Sequence, residues 1–511
     1  MDIPRMTSLP SVAIVLFVKN EFSDIAGWIA WHRALGVKTL FIFDDHSSDG
    51  TWEIIQSAAA VCDIRAFRTD PVRQPDFYLR QRDSFMAAAE MCKGQYDWLG
   101  FLDGDEYVYL RHHNTLPAFL SGFDHADAVG LSWRIQGSSE RVVRPKVTSV
   151  EAFLQHSTPE LGDNRLIKSF VRPEKLGPTY YNPHWYDIPP ERYVRPDGRP
   201  VNGQDANQEI DWNDAFVMHY ICRSMEHYIQ RIKRRLNADL GDSIIYWKHF
   251  DRNDATDHEP LRFISAVHVL LKDIYHVMVE RAISALRNTW DKLEDTLVTR
   301  PEQEKPPTVY RLRTHFETFL YLLPHERRVV HCTHETAEQN SLLPLYAAIH
   351  GCTPGVMTLF TALQGEPDAR HLLRLRNDDR LSDTLIYVLR SMEEHRYAAY
   401  NPVTNLHIAF VPNPNPGQPQ GIERVVADRR EIRDWEQFEL VPDETVSYWS
   451  DRAPLTFNPN TKTTADQILI WLVEASIAPR ADEFLRVLAC VPVSVREEIS
   501  RRVPGLLWTF V

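Results

Sequence analysis

Three absences narrow the reading of this 511-residue chain before any motif is considered. No apolar run approaches the roughly 20 residues that cross a bilayer, and Val12–Val18 lacks the basic start of a secretory signal. No C-x-x-C pair occurs. The six cysteines (Cys62, Cys92, Cys222, Cys332, Cys352, Cys490) are dispersed, the pattern of buried free thiols in a reducing compartment. Nor is there any excess of positive charge: the formal net charge is −13, which argues against a nucleic-acid partner. These absences lead us to expect a cytoplasmic protein without a transmembrane segment, leaving peripheral membrane contact open. What is present, 43% hydrophobic and 25% charged residues, describes globular domains with ample core, two or three at this length.

The N-terminal part alternates strand and helix. Val12–Val18 is a continuous apolar run, as expected of a strand covered on both faces, and it empties into Lys19-Asn20-Glu21. A helical spacing follows (Ile25, Trp28, Ile29, His32, Leu35), ended by Gly36. The strand Thr39–Phe43 runs into Asp44-Asp45-His46-Ser47-Ser48-Asp49-Gly50-Thr51, where Ser48 or Asp49 suits a helix cap. A third strand near Asp63–Phe67 and a helix from Phe77 to Cys92 precede Trp98–Leu102. That last run ends in three acids within four residues: Asp103, Asp105 and Glu106. Alternation along an extended backbone lets Asp103 and Asp105 face the same way, and two carboxylates suit a hard divalent ion. Asp-Gly between apolar runs is equally a hairpin-turn signal. The strand–helix rhythm predicts a mostly parallel sheet, whose ligands gather beyond the carboxyl ends of its strands.

Four pieces in order, Val18-Lys19-Asn20-Glu21, Gly27–Val37, Phe43–Thr51 and Trp98–Tyr107, resemble the family-2 and family-92-like glycosyltransferases of GT-A fold. The resemblance covers the first 110 residues well and continues more loosely to about residue 240. It implies a sugar-nucleotide donor, with a UDP-sugar foremost, and a carbohydrate or glycoconjugate acceptor. It implies a nucleoside held by Lys19, Asn20, Glu21 and Asp44 or Asp45, and Mn²⁺ or Mg²⁺ on the diphosphate. Asp105 would be the direct ligand, with Asp103 on ribose or metal-bound water. The physical case agrees, since a cation neutralises a departing diphosphate without proton transfer. The Lys168-Ser169-Phe170-Val171-Arg172-Pro173 run also looks like the family, and Lys168 would meet phosphate, unless it lies on an exposed strand face. His219, ending the strand Ala215–His219, is preferred over His184 as the late metal ligand. Arg231, Lys233, Arg234 and Arg235 form a basic run with two readings, approach to the diphosphate and, preferred, a solvated helix face. An inverting transfer needs a general base, for which Asp211 and Asp214 are the candidates because they precede the His219 strand. Lys19-Asn20-Glu21-Phe22 is not the glycine-rich basic loop that nucleotidyl transfer would need.

The expected organisation is a GT-A domain over 1–255, a helical connecting segment over 256–300, a β-rich domain over 308–460, and terminal helices over 461–511. The α/β first half thus contrasts with a second half in which Val309–Thr314 and Ile386–Ser391 look like repeats. The Trp435–Leu440 run is similar to fascin-like β-trefoils, which implies a sugar-binding module. Thr445–Ser450 would open a third unit. The competing reading is a catalytically silent or lectin-like carbohydrate-binding protein.

Overall fold

The computed structural model describes residues 9–201, 203–204, 206, 209–233, 240–289, 306–324, 326–351, 353–361, 373–379, 384–412, 421–448, 457, 459–474 and 481–502. It divides into two compact units, Met1–Ile274 and Tyr275–Val511. The first is a mixed α/β unit of GT-A type; the second is a β-rich unit with terminal helices.

In the first unit, β1 (Val12–Val18), β2 (Thr39–Asp44), β3 (Ile64–Arg68) and β4 (Trp98–Leu102) are parallel, alternating with α1 (Ile25–Ala34), α2 (Thr51–Ala58) and α3 (Phe77–Cys92). Four longer strands extend the sheet, β5 (Glu106–Leu110), β6 (Ala128–Ile135), β7 (Ile167–Val171) and β8 (Ala215–His219), and the two-residue strand Tyr193–Val194 pairs with β6 off the main path. Their spatial order is β3-β2-β1-β4-β7-β6-β8-β5. β7 is antiparallel to β4 and β6, β8 is parallel to β6, and β5 is antiparallel to β8. The carboxyl ends of β1, β2, β4, β6 and β8 therefore share one edge with the amino ends of β5 and β7. Side chains from both halves of the sheet meet there.

The order also settles what Asp103-Gly104-Asp105 is. β4 and β5 do not pair, so the segment is not a hairpin turn. Four flat inter-strand steps would separate them by about 19 Å, while Leu102 to Glu106 reaches at most about 14 Å. The sheet must curl, and the acidic segment bridges its two halves. Edge strand β5 is held by indole donors of α1: Trp28 Nε1 donates to the carbonyls of Asp103 (3.1 Å) and Glu106 (2.8 Å), and Trp31 Nε1 to that of Val108 (2.7 Å). Satisfying these edge carbonyls from a helix closes a surface open to further strands. The helix cap expected from Asp49 or Ser48 falls instead on Gly50, whose φ of 102° suits glycine.

In the second unit the chain enters along α5 (Ile264–Thr289), which begins in the first. Ten strands follow: β9 (Thr308–Thr314), β10 (Phe319–Leu323), β11 (Arg328–Cys332), β12 (Leu343–Ile349), β13 (Val356–Thr361), β14 (Leu385–Ser391), β15 (Arg396–Tyr400), β16 (His407–Val411), β17 (Glu423–Arg429) and β18 (Phe438–Pro442). Six of them close an antiparallel ring, β9-β12-β13-β14-β15-β18 and back to β9. The pairs β10–β11 and β16–β17 are hairpin excursions from it. A trefoil uses this ring with three excursions. The third would fall between β13 and β14, where residues 362–372 and 380–383 lie outside the described residues. The repeat expected between Val309–Thr314 and Ile386–Ser391 is not structural: β9 leads into an excursion, β14 directly into β15. Thr445–Tyr448 forms no strand, and residues 449–450 lie outside the described residues. The expected linker around 300–307 falls mostly outside them as well. Helices α6 (Ala465–Glu474), α7 (Ala481–Ala489) and α8 (Val493–Arg502) complete the unit, sharing an apolar cluster that includes Val279 and Ile283.

Candidate active site

The loops after β1 and β2 are interlocked. Three successive backbone N–H groups of the first donate to side chains of the second: Asn20 to Ser47 Oγ (2.8 Å), Glu21 to Thr51 Oγ1 (2.8 Å) and Phe22 to Asp49 Oδ2 (3.2 Å). Ser48 N–H donates back to Asn20 Oδ1 (2.8 Å). Asn20 sits in the left-handed region (φ 55°), which asparagine tolerates better than most residues. The serine, aspartate and threonine of the second loop thus fix the shape of the first. Glu21 accepts from Arg223 (2.7 Å), which also reaches Asp24 (2.7 Å). Burial opposes the Arg223 charge, but Glu21, Asp24 and Asp105 hold its pKa well above the ordinary arginine value.

Asp44 and Asp45 are both buried and differ in what remains free. Asp45 is gripped by Arg80 at 2.7 and 2.8 Å, by the Thr69 hydroxyl at 2.7 Å and by Lys19 at 3.3 Å. Burial would raise its pKa; the Arg80 and Thr69 hydrogen bonds and the Lys19 charge outweigh it and lower it. Asp44 accepts from Ser47 N–H and pairs with Arg68 through Oδ2, leaving Oδ1 without a partner. That oxygen is the unused acceptor of the pair.

The acids after β4 separate in the same way. Glu106 is fully buried; its carboxylate accepts from Asp103 N–H (2.8 Å) and pairs with Lys168 (3.2 Å). Lys168, also fully buried, reaches Asp103 Oδ2 at 2.7 Å, while Gln81 donates to Asp103 Oδ1 at 3.3 Å. Burial disfavours the ammonium, but Asp103 and Glu106 keep Lys168 protonated. Burial is also the largest influence on Glu106 and pushes its pKa up against the pull of Lys168. Lys168 is therefore not on an exposed strand face: it is buried behind Asp103, paired with Asp103 and Glu106.

Asp105 faces different partners. Its Oδ1 lies 3.6 Å from His219 Nε2 and its Oδ2 3.3 Å from Arg231 Nη1. Burial opposes ionisation, and His219, Arg231 and Arg223 overcome it, holding the carboxyl well below the usual range. His219 is itself lowered, first by burial and against the raising effect of Asp105, which favours the neutral imidazole that can ligate a cation. Its Nδ1 has no hydrogen-bond partner. Register explains the encounter, since His219 ends β8 directly opposite Glu106 of β5. His184 stands beside the same site, in the field of Lys168, Asp103 and His219, with its Nδ1 2.9 Å from the Ile167 carbonyl and Trp133 packed against both histidines.

Two expectations change, for Arg231 and Asp214. Arg231, expected on a solvated face, turns inward to Asp105 and the Ile221 carbonyl (2.9 Å) from α4 (Met225–Lys233); residues 234–235 lie outside the described residues. Asp214 is not brought to the site: its neighbour Ala215 pairs with Leu110, at the opposite end of β8 from His219, and its carboxylate lies 3.8 Å from His113. Asp211 is buried, accepting from Asn213 N–H through Oδ1 and leaving Oδ2 without a partner, and its neighbour Trp212 donates to the carbonyl of Trp133, the residue packed on His219. Asp214 precedes a strand that runs toward the site, so nearness in sequence placed it at the far end. Sequence reasoning missed Arg80, Gln81 and Arg223. A signal for Arg80 was available: it lies on the buried stripe Ser84, Phe85, Ala88, Ala89 and Cys92 of α3, a position that only a partnered charge can fill.

Among the described residues, no group of three or more His, Cys, Asp or Glu is placed to hold an ion by itself. The donors fit a cation that takes most of its ligands from elsewhere. Ionised Asp105 and neutral His219, 3.6 Å apart, lie within the span of two ligands each about 2.1 Å from one ion. No described helix is long and apolar enough to cross a membrane.

Residues 10–220 match the family model described as Glycosyltransferase family 92. A family 92 protein of Oryza sativa subsp. japonica is 25% identical over 175 residues, 34% of this chain and 28% of that protein. One of Ricinus communis is 31% identical over 259 residues, 47% of this chain and 39% of that protein. The chain thus spans well under half the length of these curated relatives. Among solved structures, S. aureus TarS aligns over 86% of this chain and 97% of its own, with 10% identity and a TM-score of 0.25.

Proposed function

We propose, from the family 92 match over residues 10–220, that the chain is a metal-dependent, inverting glycosyltransferase acting on a nucleotide-sugar donor, with a UDP-sugar foremost, and a hydroxyl acceptor on a glycan or glycoconjugate. The observation that carries the reading is the division of the acidic segment. Asp103 is neutralised from behind by Lys168, while Asp105 stays ionised beside a neutral histidine. A Mn²⁺ or Mg²⁺ ion bound there supplies charge neutralisation to the departing diphosphate. Asp105 and His219 would hold it. Arg231, 3.3 Å from Asp105, would add a second positive charge beside the bound diphosphate. Asp44, with one unused oxygen, is the acceptor for the base or ribose, and Asn20 and Glu21 shape that pocket through their backbone. Asp103, held in place by Lys168 and Gln81, would accept from ribose or metal-bound water through its remaining lone pairs. The free thiols of the five described cysteines suit a reducing, cytoplasmic setting.

The test is release of nucleoside diphosphate from a panel of radiolabelled sugar nucleotides with Mn²⁺. Release from at least one donor, lost in Asp105→Asn, is expected. No release from any donor contradicts the proposal.

A further inference from the structure

The ring of the second unit is not filled along its whole length. Leu312, Ala347, Met357, Leu359, Tyr387 and Ala399 are buried inside it. At one end the filling stops, leaving a pocket of about 540 Å³ among the ring strands. Tyr310, Leu389, Tyr397 and Leu440 line it and also pack, partly buried, against the core below. Each stands two residues from a buried core residue of its own strand (Leu312, Tyr387, Ala399, Phe438), so alternation points it inward. The four are the last inward-facing layer of the ring. Ser391 and the exposed His395 lie at the rim.

We propose that this mouth binds a neutral sugar, one or two hexose units of a glycan. A hexose presents a flat patch of C–H groups and a rim of hydroxyls. The two tyrosines supply flat apolar faces that end in hydroxyls, and Ser391 and His395 supply further hydrogen-bonding groups at the rim. Among the described residues lining the pocket there is no Asp, Glu, Lys or Arg, so nothing there compensates a phosphate or a uronate. The volume falls within the range of small-molecule sites, which favour the mouths of β-barrels. The site lies wholly in the second unit and does not depend on the transferase reading.

The test uses the full chain and three neutral probes, maltotriose, cellotriose and β-1,4-galactotriose, against trigalacturonate and decanoate, by saturation-transfer NMR and calorimetry. At least one neutral trisaccharide should bind, and trigalacturonate and decanoate should not. Ser391→Trp, which fills the mouth from its exposed rim, should weaken binding roughly tenfold or more. Tyr397→Leu, which keeps apolar bulk and removes the ring, should do the same should the tryptophan disturb the fold. Asp105→Asn should leave this binding unchanged even where it abolishes donor turnover, so the two readings fail separately. Binding of none of the three neutral probes overturns the proposal. So does preference for decanoate or trigalacturonate, or equal affinity in a folded mouth variant.

Discussion

The two units distribute their buried charges differently. At the curled edge of the first, Asp44, Asp45, Arg80, Glu106, Lys168, Arg223 and His219 are all at least nine-tenths buried, each held by a named partner. The second unit buries charges too, among them Arg327, Arg374, Asp378, Glu436, Glu483, Arg486 and Arg496, but these do not converge on one edge of strand ends, and the apolar cluster inside its ring is built of Leu, Ala, Met, Tyr, Phe, Ile and Val. Desolvating a charge costs several kcal/mol, and a paired buried charge is rarely better than an apolar replacement. A fold that needed only stability would resemble the ring throughout. The first unit carries its charges where strand ends converge, the arrangement in which perturbed pKa values mark functional sites.

That contrast can be broken most severely at Lys168. Lys168→Met leaves the buried Glu106 and the partly exposed Asp103 without their shared counter-charge and should destabilise the first unit by about 3–5 kcal/mol. Hydrogen exchange should rise in peptides of residues 9–274 and stay constant in the second unit. Adding Glu106→Leu should recover part of the loss, and no recovery would mean that the pair is not the cause.

Acid should act next most strongly. Burial lowers His32 from 6.5 to about 3, with Nδ1 bonded to the Trp28 carbonyl. Between those values the unfolded chain binds a proton that the folded unit refuses, so the stability His32 confers is present above about pH 6.5 and lost as pH falls toward 3. Moving from pH 7 to pH 5 should cost about 2 kcal/mol, measured by denaturant titration. His32→Gln should flatten that slope.

A smaller effect is expected from Arg80→Lys, which keeps the charge but loses the two-pronged grip on Asp45. It should weaken donor binding by about 1–2 kcal/mol in calorimetry with little change in fold. Ser47→Ala should be smallest, removing one hydrogen bond between the first two loops for about 1 kcal/mol.

Much of the edge was legible in the chain. β1, β2, β4 and α3 are long, periodic and strongly patterned, and the acids at their carboxyl ends lie where parallel sheets place their ligands. What was hidden came from long-range pairing. Nothing local says that β5 crosses to the far side of the sheet, which makes Asp103-Gly104-Asp105 a bridge and Glu106 a buried anchor. Lys168 was read as facing phosphate or solvent because a single lysine in Ile-Lys-Ser-Phe-Val does not reveal that both strand faces are covered. Asp214 was placed near His219 by sequence distance, although a five-residue strand separates them. The ring of the second unit hid its connectivity for a similar reason: similar strands, β9 and β14, take different places in it.

The central claim is that Asp105, with His219, holds a divalent ion that couples to a nucleoside diphosphate. Calorimetric titration of UDP into the wild-type chain and into Asp105→Asn, each with Mn²⁺ and with EDTA, tests it most directly. UDP should bind the wild type with Mn²⁺ and lose at least about a hundredfold in affinity, some 2.7 kcal/mol, with EDTA or in the variant. Equal affinity under all four conditions would contradict it.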